Sequence, residues 1–105
     1  MTVSMGVLNR RTDEYHVVPI ACSVPFRKQW RPLAKRLNLT IVKHLDDGRY
    51  APFPAELIPD LLQELETLRK AVKDDDKYGW IADRCDTIIA RLNSTDPETW
   101  EYDFG

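Results

Sequence analysis

The sequence is short of the parts from which most active sites are assembled. It has two histidines, two cysteines and four scattered glycines. None of these falls in a CxxC pair, an HExxH helix, a glycine-rich phosphate loop or a nucleophile elbow. His16 and His44 both lie in segments that read as strands. His16 and Cys22 share a strand parity, but six residues of extended chain hold them about 20 Å apart, too far for a Cys–His dyad. An enzyme is therefore not expected, and no cofactor is implied. Asp74-Asp75-Asp76 is a run that could suggest a divalent ion. Adjacent acids at a helix start are accounted for by capping and the macrodipole, and further ligands are not indicated, so no metal is expected. No apolar run approaches the roughly 18 residues that cross a bilayer. The first residues, MTVSMGVLNRR, lack the basic start and apolar stretch of a signal peptide, which makes the cytoplasm the expected address. Cys22 and Cys85 are far apart in sequence; in a reducing compartment such isolated thiols read as small buried hydrophobes rather than a disulfide.

What is present describes one globular domain, residues 1–105. The 43% hydrophobic and 30% charged residues are those of a folded chain, and the length suffices for a core without staples. In residues 2–8, Val3, Met5 and Val7 alternate with Thr2, Ser4 and Gly6, a strand with one buried face. YHVVPIAC, residues 15–22, reads as a second strand, at an edge or bulged at Pro19 because proline has no amide to donate. Residues 23–38 read as a helix with Ser23 as cap and Phe26, Trp30, Leu33 and Leu37 on one stripe; Pro32 should kink or split it. Residues 39–53 read as two strands about Asp47-Gly48, a pair suited to a two-residue hairpin turn, with Asp46 opposite Arg49 and Leu45 opposite Tyr50.

From Pro54 the period changes from two to about three and a half. Ile58, Leu61, Leu62, Leu65, Leu68 and Val72 mark one helix, with Pro59 in its first turn; Tyr78, Ile81, Cys85, Ile88 and Leu92 mark the next. A link as short as Asp74-Asp75-Asp76 makes them an antiparallel helix hairpin. The expected class is α+β: a small, mostly antiparallel sheet, an interrupted helix and a packed helix pair. Trp100, Tyr102 and Phe104 alternate with Glu101 and Asp103. This tail is either a strand docked by its aromatic side with the acids outward, or an exposed plug for a partner.

Charge is unevenly distributed. Residues 1–50 carry nine Lys or Arg against four acids, and residues 51–105 carry six against thirteen, so a net charge of −2 conceals halves of +5 and −7. The basic half concentrates in FRKQWRPLAKR, residues 26–36, where Arg27, Lys28, Arg31, Lys35 and Arg36 could hold phosphates and an exposed Trp30 could stack a base. Phe26 and Trp30 share the apolar stripe, however, and a pI near 5.6 opposes strong polyanion binding. The acidic half suits a basic protein partner.

In order, the chain runs from a β segment through LNLTIVKHLDDGRYAPFP to the helices ELIPDLLQELETLRKAV and YGWIADRCDTIIARL, then to an aromatic strand ending in Phe-Gly. Over residues 37–105 this layout resembles that of small bacterial immunity proteins, the antidotes of polymorphic or contact-delivered toxins. The resemblance implies a cytosolic, non-catalytic antitoxin that covers the active site of one cognate toxin domain, and it carries no motif residues across. On that reading the residues to test are Asp74, Asp75, Asp76, Tyr78, Trp80, Glu101 and Asp103. Trp80 is either an exposed anchor or a staple of the second hairpin helix to the first. The alternative is a small nucleic-acid-binding or regulatory protein working through Arg27, Lys28, Trp30, Arg31, Lys35 and Arg36.

Overall fold

The computed structural model describes residues 2–105. β1 (Thr2–Asn9) pairs antiparallel with β2 (Tyr15–Cys22) on one side and with β3 (Trp100–Phe104) on the other, so the strand order is β2-β1-β3. The β1–β2 turn is closed by Asn9, whose side-chain oxygen accepts the amides of Arg11 (2.9 Å) and Thr12 (3.2 Å). Val3 pairs with Ala21 but Ser4 with Pro19, so Ile20 is the extra residue of a bulge. Pro19 therefore sits on an edge strand and beside a bulge, where its missing amide costs nothing.

The polypeptide then turns helical through α1 (Ser23–Pro25), a wide π turn (Phe26–Trp30) and α2 (Arg31–Arg36). The helix is interrupted just ahead of Pro32, by the wide turn rather than by a break in the helical path. The Arg31 amide reaches back to the Phe26 carbonyl, five residues earlier, and the widened turn makes room for the pyrrolidine ring. Ser23 does not cap it; it is the first helical residue, and no side chain bonds to the start. Asn38, at φ 59°, stops it, with its amide on Lys35 O and the Leu39 amide on Ala34 O.

Residues 39–53 are not the expected hairpin. Val42–His44 is a 3-10 turn and the rest is irregular. Both runs find backbone partners elsewhere. Glu64 accepts the Ile41 and Val42 amides at 2.8 and 3.1 Å. The Phe53 amide and Tyr50 carbonyl bond to Tyr102 and Phe104 of β3. Asp46 pairs with Arg31 and Asp47 with Arg49, instead of Asp46 facing Arg49. Gly48 does take the positive φ its position suggests, at 82°, but in a loop rather than between ladder strands.

α3 (Ile58–Val72) and α4 (Gly79–Ser94) pack together as the periodicity requires. Ile58, Leu61, Leu65, Leu68 and Val72 meet Ile81, Ala82, Cys85, Ile88 and Leu92 in the core, with Leu62 and Tyr78 half-buried at its margin. Pro59 lies in the first turn of α3. The tail is a docked strand. Tyr102 and Phe104 are buried, Trp100 is half-buried, and residues 50–53 cover the outer edge of β3. The fold is thus α+β, with a three-stranded antiparallel sheet carrying its helices on one face. Among the described residues no helix is long and apolar enough to cross a membrane.

Candidate interaction surface

Strand parity assigns the two faces of the sheet. Val3, Met5, Val7, Val18, Tyr102 and Phe104 point to the core. Ser4, Gly6 and Leu8 of β1, Tyr15, Val17 and Pro19 of β2, and Glu101 and Asp103 of β3 point the other way. This outer face has no helix over it. Tyr15 and Val17 are 52% and 54% exposed, and with Val24 they are the exposed large hydrophobics among the described residues. A Cβ on Gly6 would lie 2.4 Å from the Tyr15 hydroxyl and 2.5 Å from Asp103 Oδ1. The absence of a side chain at Gly6 lets those two groups lean over the central strand from opposite sides. Glu101 is 4.0 Å from Arg10, while Asp103 has no ion pair among the described residues.

The adjoining edge is open as well. Ser4 exchanges both backbone bonds with Gly105 across the β1–β3 junction. By the antiparallel alternation, Gly6 and Leu8 also direct their backbone groups to β3, which leaves those of Tyr15 and Val17 facing away from β1. The outer edge of β2 consequently offers unpaired backbone groups beside two exposed apolar side chains.

The residues singled out from the sequence do not converge. Glu101 and Asp103 stand on the outer face of the sheet. Trp80 lies on the helical side, half-buried, with its indole N–H on Gln29 Oε1 (2.8 Å) and its ring 6.4 Å from Trp30. It staples α4 to the interrupted helix rather than to α3, and lines a hollow of about 380 Å³ there with Ile20, Cys22 and Arg84. Asp74, Asp75 and Asp76 are exposed in the α3–α4 link, beside the half-buried Tyr78. Asp75 is structural: its Oδ1 accepts the Lys77 and Tyr78 amides at 2.7 and 2.8 Å.

Of the basic segment, Arg27, Lys28, Lys35 and Arg36 are exposed and Arg31 is half-buried. Trp30 and Phe26 are fully buried and stacked at 5.3 Å. The Trp30 N–H donates to Val42 O at 2.9 Å. Trp30 therefore has no face to offer a base, which corrects its place among the nucleic-acid candidates. Lys43 and His44, from the 3-10 turn, join Arg31, Lys35 and Asp47 around a cleft of about 340 Å³.

Two titrating groups have clear environments. Burial pushes the Cys85 thiol up to about 12. Burial alone would lift the Asp47 carboxyl, but the Arg49 amide, the His44 ring and the Arg49 charge outweigh it and hold the group below 3.8. Cys22 is exposed and both cysteines are free. Among the described residues no three His, Cys, Asp or Glu side chains are grouped to hold a metal ion.

Tyr15 and Val17 were missed as functional candidates, although a signal was present. YHVVPIAC is apolar on both parities, and in an antiparallel sheet that packs only one face on its core such a strand leaves apolar side chains on the other. Comparison with protein-family models, with curated proteins and with solved structures gives no match to this chain.

Proposed function

We propose that this is an immunity-type inhibitor that docks the outer face of its sheet over the working cleft of a basic toxin domain, in the cytoplasm and with no reaction of its own. The observation that carries this reading is the uncovered apolar patch of Tyr15 and Val17 bordered by Asp103 and Glu101. An exposed aromatic and a β-branched residue supply area for burial, and a carboxylate without an internal ion pair supplies charge for a cationic rim. The layout resemblance to immunity proteins points the same way. Trp80 is not an anchor here, and Asp74 and Asp76 contribute steering charge rather than contacts.

The test is co-expression with the protein encoded immediately upstream. Its toxicity should be relieved and the two chains should co-purify. Val17→Lys should weaken the complex by about a hundredfold, the loss expected of a central apolar contact, while leaving the melting temperature unchanged because Val17 faces solvent. A neighbour that neither binds nor is neutralised would overturn the reading.

A further inference from the structure

The cleft beneath α2 is unrelated to the sheet face and is built from the opposite charge. Arg31 and Lys35 line it from α2, and Lys43, His44 and the carboxylate of Asp47 from the loop that follows. Lys35 and Lys43 have no ion pair or side-chain hydrogen bond among the described residues. Asp47 is engaged within its own loop, with His44 Nδ1 at 2.9 Å and Arg49 Nε at 3.2 Å from its Oδ2. Arg31 is held in place by Asp46 Oδ2, and the other oxygen of Asp46 is buried without a partner.

Like charges around a common hollow repel, and a flexible loop would let them separate. This loop cannot. The Val42 amide is held by Glu64 and its carbonyl by the Trp30 indole, from two different helical elements. The residues that follow, Lys43 and His44, are thereby seated opposite α2. Such a pre-formed arrangement lowers the ordering cost of binding an anion.

We infer that this cleft binds the phosphate group of a small phosphorylated molecule, with Lys35 and Lys43 as point charges and Arg31 presenting its guanidinium edge. A volume of about 340 Å³ is at the small end of ligand pockets. A nucleic-acid track is disfavoured because Phe26 and Trp30, the aromatics of the basic segment, are buried, which leaves no stacking platform beside the cations.

The test is an amide-resolved NMR titration at low salt with inorganic pyrophosphate, then adenosine monophosphate, then a short single-stranded oligonucleotide. Pyrophosphate should shift Lys35, Lys43, His44 and Asp47 saturably. Lys35→Ala and Lys43→Ala should each weaken binding about tenfold, the scale of one charge-assisted contact, with unchanged melting temperature. Lys73→Ala should do nothing. Tighter binding of the nucleotide would identify a phosphorylated organic ligand, and equal binding free phosphate; both support the site. Diffuse, non-saturating shifts, or affinity unchanged in both variants, would overturn it. So would preferential oligonucleotide binding lost equally in Arg27→Ala and Lys28→Ala.

Discussion

At the residue scale, one carboxylate does unusual structural work. Glu64 projects from α3 and takes two amides and the Thr40 hydroxyl of a segment more than twenty residues away. Replacing it by Ala leaves those amides without an acceptor and should cost about 2 kcal/mol, the scale of lost charge-assisted bonds; denaturant unfolding checks this. The thiols should separate cleanly. Cys22 should react with a thiol reagent in the native protein near pH 8, whereas Cys85, buried and shifted to about 12, should react only after unfolding. Two reactive thiols per native chain would contradict its burial. Asp47 sets a pH dependence. Its folded-state pKa lies below the ordinary 3.8, so the stability it contributes is present above that value and is lost as pH falls through the lowered one. Acid titrations of the wild type and Asp47→Asn should therefore keep a constant gap above pH 3.8 and converge only as pH falls through the lowered value. Asp47 was legible as a turn residue, because its side chain serves its own backbone at Arg49. Glu64 was not, because nothing in its helical neighbourhood announces a partner so distant.

At the element scale, local pattern was a good guide wherever an element's bonds are internal. α3 and α4 satisfy their own amides, and one apolar stripe on each is enough to pair them. β1 and β2 are joined by a short turn and were equally readable. The tail was legible as a strand from its alternation, though its neighbour was not. Phe104 packs edge-on to Phe53 with ring centroids 5.5 Å apart and is 1% exposed. Phe104→Ala should cost about 3–5 kcal/mol by cavity formation, whereas Trp100→Ala, at the half-buried end of the same strand, should cost markedly less. Thermal denaturation of the two variants gives the comparison. The segment 39–53 shows where pattern misleads. Its Asp-Gly turn and β-branched residues favour a hairpin, yet Glu64 on one side and β3 on the other compete for its amides and carbonyls. Partners already fixed by packed elements outweigh a local pairing worth little in isolation.

At the scale of the whole molecule, the charge asymmetry along the chain survives folding in part. Arg69, Lys70, Glu66 and Asp86 neutralise one another on the helix hairpin, while Arg31, Lys35 and Lys43 gather around one cleft. Asp74 and Asp76 remain exposed and make no ion pair among the described residues. Charge reversal at both should slow association with a basic partner about tenfold at low salt, and the difference should vanish at high salt. Asp75 is unsuitable for this measurement because it also holds the turn. Rates that do not change would remove the hairpin link from any account of steering.

The amino-acid order by itself determined the α+β class, the two amphipathic helices, the N-terminal strand pair and the strand character of the tail. Each rests on a periodicity or a turn within a few residues. Only the tertiary structure decided which sheet face stays bare, which oxygen holds residues 41 and 42, and that Lys43 and His44 stand across from Arg31 and Lys35. Those outcomes depend on hydrogen bonds and packing between different elements, and no local pattern carries the position of a partner in another element.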